Sequence, residues 1–182
     1  MTEAPHIVGT YTEELRAAMD LVHMTAPRSI FMGQAVACDG TAMRKTLNHL
    51  PPEKLLELPV AEDMQLGMAL GMALDGMFPV CIYPRVNFLM LAMNQLVLHL
   101  DKLPIYSDYK PRMIIRTAIA TDDPLDPGPQ HLGNFSYALS QMLEMVEVVD
   151  LTKAEQIVPA YCDALMSPWP FLLIERMELY DK

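Results

Sequence analysis

The sequence predicts an α/β domain of three layers, α/β/α, built on a mainly parallel sheet. Three observations lead there. Helical patterns of about ten or more residues alternate with short strand-like runs through most of the chain. Runs such as Phe78 to Tyr83 are apolar throughout rather than alternating, as strands covered on both faces are. The length, 182 residues, suits one domain with one sizeable core.

The elements follow in order. Thr10 to Glu13 reads T-x-x-E, a capping box, and opens a helix to about Ala26 that Pro27 ends. Ser29 to Met32 is a short strand closed by Gly33. Ala42 to Leu50 is expected to form a short helix stopped by Pro51-Pro52. Lys54 to Leu58 leads into a brief strand, and Glu62 to Leu74 forms a helix ended by Asp75-Gly76. After the strand Phe78 to Tyr83 comes a long helix from Asn87 to about Lys102, then a strand from Arg112 to Ala118. Thr121 to Gly133 is rich in Asp, Pro and Gly and reads as a long irregular loop. A helix over Phe135 to Leu143, a strand over Glu147 to Asp150, a second capping box at Thr152 to Glu155 with a helix to about Met166, and a strand over Pro170 to Glu175 complete the series.

Composition narrows the function classes. A formal net charge of -10 argues against a nucleic-acid surface and against attraction to an anionic membrane. The longest apolar region, Met77 to Leu100, is broken by Pro84, Arg85, Asn87, Asn94, Gln95 and His99, which suits a buried strand and helix better than a membrane span. Cys38, Cys81 and Cys162 are far apart and odd in number, so neither a zinc site nor a disulfide framework is expected, and a reducing cytoplasm is the default. The first sixteen residues lack the basic start and apolar core of a secretory signal. The sixteen methionines, several at helical spacing, read as adaptable core and interface filling rather than metal ligands.

In a parallel sheet, ligands gather at the carboxyl ends of the strands. Glu62, the turn from Tyr83 to Phe88 and the 121–133 loop each follow a strand, so they are candidates for one shared edge. Glu62 opens a helix, where unpaired N–H groups favour a carboxylate. Leu58 to Ala61 before it and Met64, Leu66 and Met68 after it also place it beside apolar surface, where an acid loses solvation. Gly67 and Gly71 share a helix face. Glycine costs about 1 kcal/mol in a helix, so close approach of another backbone is expected there, from the chain's own sheet or from a partner. Of the five histidines only His131 lies in a Gly/Pro-rich loop.

The order of these features resembles the pyrimidine-binding domain of thiamine-diphosphate enzymes. An apolar run meets Glu62 at the mouth of a helix. A Gly/Ala-faced helix, a buried strand and a second helix opening at Asn87-Phe88 and bearing Gln95 follow. The chain is most similar to the beta subunit of the decarboxylating component of 2-oxo-acid (pyruvate) dehydrogenase complexes, in the transketolase superfamily, over about Ser29 to Tyr180. The resemblance implies that Glu62 hydrogen-bonds a ring nitrogen of the coenzyme's aminopyrimidine and switches the coenzyme on. It implies that Pro84 and Phe88 stand at the coenzyme-contacting turn, with Phe88 against the pyrimidine ring. It implies that His131 acts on substrate or acyl transfer as a proton or hydrogen-bond donor. Three positions depart from the family's pattern: Gln34 replaces an acid, Pro84 a Met or similar bulky residue, and Arg85 a small polar residue.

The resemblance also bears on what lies elsewhere. The Gly-Asp-Gly…Asn pattern that holds magnesium and diphosphate is not matched by Cys38-Asp39-Gly40 or Leu74-Asp75-Gly76. The expectation is a single pyrimidine-binding domain over 1–182, with an N-terminal helical extension over 1–28, and without a diphosphate-binding or C-terminal transketolase domain. A diphosphate-binding alpha-type chain would then hold Mg2+, and pairing between two pyrimidine domains is a further option. The function implied is activation of thiamine diphosphate for a 2-oxo acid decarboxylase or dehydrogenase. A transketolase-like two-carbon transfer subunit and a non-catalytic assembly or regulatory subunit of the same fold are the alternatives.

Overall fold

The computed structural model describes residues 8–39, 41–122 and 126–180. The first seven residues of the expected N-terminal extension, His6 among them, lie outside these, as do Gly40 and residues 123–125 of the loop. Six strands form one sheet: β1 (Ser29–Gly33), β2 (Leu55–Glu57), β3 (Phe78–Tyr83), β4 (Ile114–Ile119), β5 (Glu147–Asp150) and β6 (Phe171–Arg176). Their order is β2-β1-β3-β4-β6-β5, and all five pairings are parallel. Every residue of β3 and β4 is buried, as the unbroken apolarity of β3 required.

Helices cover both faces and make the three layers. Helix α1 (Tyr11–Thr25) and α6 (Ile157–Met166) pack together on one face. The Thr10–Glu13 capping box is formed as expected: the Glu13 amide donates to the Thr10 hydroxyl at 3.3 Å and the Thr10 amide to Glu13 Oε2 at 2.8 Å. Tyr11, Leu15, Ala18, Met19 and Val22 then repeat at helical spacing and bury against Phe31, Val80, Ile82 and Ile114. The opposite face carries α2 (Glu62–Leu74), a helical segment over 86–106 and α5 (Ser136–Met142). Leu66, Ala69 and Ala73 of α2 bury with Leu89, Ala92, Leu96 and Leu100 over Met32, Cys81 and Ile115.

Three segments depart from the sequence expectation. The long helix is not uniform. It begins as α3 (Val86–Leu89), tightens into a 3-10 turn (Met90–Ala92), widens into a π-helix (Asn94–Leu100) and ends as α4 (Leu103–Tyr106). The amide of Asp101 donates to Leu96 O at 3.0 Å, the i→i−5 bond of that π stretch. Only Met43–Thr46 of the expected 42–50 helix forms a turn, of 3-10 type. At the second capping box, Gln156 replaces Glu155. Its Oε1 takes the amides of Thr152 at 2.9 Å and Lys153 at 3.0 Å, which puts a 3-10 turn (Ala154–Gln156) ahead of α6.

Candidate active site at the carboxyl edge of the sheet

The chain runs from β1 outward to β2 and then returns to β3 on the other side of β1. The β1/β3 boundary is therefore where the strand order reverses, and crevices open at such points. Helix α2 begins there. Its first residue, Glu62, is 6% exposed. One carboxyl oxygen, Oε1, accepts the side-chain amide of Gln34, just past β1, at 3.2 Å. The backbone oxygen of Glu62 accepts the hydroxyl of Tyr83, the last residue of β3, at 2.9 Å. Glu62 is thus held between the ends of the two strands that flank the switch point. No side chain caps the start of α2, so Glu62 stands in a first turn whose N–H groups lack a side-chain acceptor, where a negative charge is favoured.

The turn after β1 is built tightly. Gly33 lies so close to β3 that a Cβ there would come within 2.2 Å of Ile82 O, at φ +152. Beyond Gln34, Ala35 takes a left-handed backbone (φ 53). The amides of Ala35, Val36 and Ala37 then converge on the carboxylate of Glu57, at 2.6, 2.9 and 2.8 Å. Burial opposes ionisation of Glu57, but these backbone bonds outweigh it and hold its carboxyl below the usual range. Gln65, one turn into α2 and fully buried, donates to Ile82 O at 2.9 Å and to Cys81 Sγ at 3.4 Å.

Past Tyr83 the chain passes buried Pro84 and half-buried Arg85 into α3. Phe88, partly buried, packs its ring against the imidazole of His131, with centroids 5.5 Å apart and planes tilted by 53°. His131 closes a 3-10 turn (Pro129–His131) that Gly128 opens at φ 80. Asn87 fastens this turn by donating Nδ2 to Gln130 O at 2.6 Å. The loop His and the Asn-Phe turn, chosen from sequence separately, therefore meet. His131 Nδ1 and Asn87 Oδ1 are buried and have no protein hydrogen-bond partner among the described residues. Such atoms call for a polar partner. Asp63, beside Glu62, is exposed and lies 3.4 Å from the Gln95 amide. Of the two glycines on α2, Gly67 faces Gln95 of the 86–106 segment and Gly71 faces nothing within 4 Å, so the sheet does not account for Gly71.

Sequence reasoning missed Gln65, Glu57 and the role of Tyr83. A lone amide one turn after Glu62, within an otherwise apolar stripe, was the available signal for Gln65. Asp75, in one of the two strings weighed as a diphosphate motif, caps the far end of α2 and pairs with Arg28 at 2.7 Å. Among the described residues no three His, Cys, Asp or Glu side chains gather as a metal site, and no helix is long and apolar enough to cross a membrane.

Residues 9–182 match the family described as transketolase, pyrimidine binding domain. A pyruvate dehydrogenase E1 component subunit beta from Cyanidium caldarium is 26% identical over 178 residues, covering 93% of this chain and 52% of that protein. The corresponding subunit from Chaetosphaeridium globosum is 33% identical over 87 residues, 46% of this chain and 27% of that protein. The chain thus spans about half or less of the length of these relatives. Among solved structures, a split gene transketolase described as an inactive beta4 tetramer superposes with a TM-score of 0.70 at 17% identity, over 92% of this chain and 51% of that one. That likeness establishes the fold.

Proposed function

The chain belongs to the transketolase pyrimidine-binding domain family, and from that premise we propose that it is the coenzyme-activating half of a thiamine-diphosphate enzyme acting on a 2-oxo acid. The observation that carries this reading is the Glu62 carboxyl. It is 6% exposed, opens a helix at the strand-order switch and keeps one oxygen engaged by Gln34. The residues present suit the aminopyrimidine end of the coenzyme: an acid shielded from water, an aromatic face at Phe88, and buried polar atoms on Asn87 and His131 that lack protein partners.

When bound, thiamine diphosphate supplies a thiazolium carbon that, once deprotonated, adds to a 2-oxo group and retains the electron pair as carbon dioxide leaves. Glu62 would hold a proton at the second oxygen of its carboxyl, within hydrogen-bonding reach of a ring nitrogen. Phe88 and Pro84 would flank the ring and exclude water. His131, steadied by Phe88 and by the Asn87 bond to Gln130, would present its imidazole to the substrate. In this reading the metal and the diphosphate are assigned to an alpha-type partner chain. Support for such a partner comes from the relatives, which are named as beta subunits.

The test is Glu62→Gln in the chain co-expressed with its partner. Turnover of a 2-oxo acid is expected to fall by about 10²–10⁴-fold, while the melting temperature of the isolated chain stays close to that of the parent. Undiminished turnover would remove the catalytic reading and leave a subunit that keeps the fold for assembly.

A further inference from the structure

We infer that Gln34 and Glu57 are positioning residues that assign different tasks to the two oxygens of Glu62. This rests on the proposed role of Glu62. Gln34 donates its amide to Oε1 at 3.2 Å, so that oxygen is committed as an acceptor. An acid donating to a coenzyme ring must then carry its proton on Oε2. At this contact the amide nitrogen only donates.

Gln34 itself is fixed from both sides. Before it, Gly33 is pressed against the backbone of β3, and its own oxygen accepts the Leu58 amide at 2.8 Å. After it, the three successive amides of Ala35, Val36 and Ala37 close on Glu57. Three N–H groups pointing inward form an anion-binding concavity, here filled by the chain's own carboxylate from the end of β2. Glu57 therefore locks a turn whose left-handed residue, Ala35, sits beside the residue that touches Glu62. Two carboxylates on either side of one turn divide the work: Glu57 orders the turn, and through Gln34 the turn orients Glu62.

Two measurements test this. In the complex with its partner, deuterium exchange at the coenzyme's thiazolium carbon is expected to slow about tenfold for Gln34→Leu, as for loss of one hydrogen bond. Half-saturating coenzyme should change less than about twofold, because only orientation is lost. Gln34→Met, of similar length but without the donor, should behave like Gln34→Leu, and Glu57→Ala should fall between them and the parent. In the isolated full chain labelled with nitrogen-15, Glu62→Ala should move the Gln34 side-chain amide resonances and speed their exchange with water. Glu57→Ala should do the same at Gln34 and at the amides of residues 35–37. Parental exchange rates in both Gln34 variants, with Glu62→Gln still inactive, would overturn this inference and leave the proposed function standing. Gln34 resonances unmoved by Glu62→Ala would overturn it without reference to turnover. Parental turnover in Glu62→Gln would remove both.

Discussion

Gly33 and Gly71 carry the same side chain and meet opposite surroundings. A Cβ at Gly33 would lie 2.2 Å from Ile82 O, and the backbone there favours glycine, so Gly33→Ala is expected to cost about 2–4 kcal/mol. A Cβ at Gly71 meets nothing within 4 Å, so Gly71→Ala is expected to stabilise the isolated chain by up to about 1 kcal/mol. Urea unfolding of both variants checks the pair, and equal effects would mean the turn after β1 is looser than described. At this scale the sequence was readable where neighbours in the chain also set the environment. Glu62 stood out for its apolar neighbours in the chain and is buried, although two of those neighbours, Val60 and Met64, are themselves exposed, so much of its cover comes from elsewhere. The Gln34 contact to Glu62 and the Glu57 contact to residues 35–37 join positions twenty or more apart, and no local pattern records such a meeting. The Phe88–His131 contact was equally hidden, although each residue was chosen from its own surroundings.

Elements were readable to the extent that their ends are set locally. Helix α2 and strands β3 and β5 have the limits expected from sequence, because Asp75-Gly76, Tyr83-Pro84 and the residues around them are breakers in their own right. The 86–106 segment was seen as helical but not as changing pitch, since periodicity over so few turns does not separate 3.6 from wider spacing. Its π stretch delivers Asp101, whose carboxylate is fully buried, to the turn before β5. There Oδ1 accepts the amides of Glu144, Met145 and Val146 at 2.9, 2.8 and 3.1 Å, and Oδ2 lies 2.9 Å from Lys102 Nζ. Burial opposes the charge, but the backbone bonds and Lys102 outweigh it and hold the carboxyl below the usual range. A group depressed in the folded state contributes stability above its unfolded pKa and loses it as pH falls through the folded one. Asp101→Asn is therefore expected to cost about 2 kcal/mol near neutrality, with the gap to the parent closing as pH drops below about 4. Thermal melts across that range would show the convergence, and a gap independent of pH would remove the charge from the explanation.

The whole molecule is tied by a charge pair in the middle of one face. Arg116 of β4 and Glu175 of β6, both fully buried, form a two-armed ion pair beneath α1, with the Tyr180 hydroxyl donating to Glu175 and Met19 Sδ 3.5 Å from Arg116 Nη1. Removing one partner leaves the other uncompensated, so Arg116→Met alone is expected to cost about 3–5 kcal/mol, and Arg116→Met with Glu175→Leu much less. A double-mutant cycle by denaturant unfolding reads that difference, and additive losses would mean that the two side chains act separately. The opposite face is finished differently. Leu91 and Leu98 of the 86–106 segment stay 64% and 59% exposed, on either side of Gln95, which lies over Gly67. The open side of Gly71 on the neighbouring helix leaves room for a backbone to approach. An apolar strip beside a small-residue helix suits association with another pyrimidine domain, and the net charge of -10 opposes that association between identical chains. The two tendencies separate by salt. Raising ionic strength from about 0.05 M to about 0.5 M screens the repulsion and is expected to strengthen self-association in sedimentation equilibrium. Leu91→Glu with Leu98→Glu should abolish it at either salt, without lowering the melting temperature, because neither side chain is buried in the isolated chain. A doubly charged variant that still assembles like the parent would move the contact to another face and leave Gly71 without a reason for being glycine.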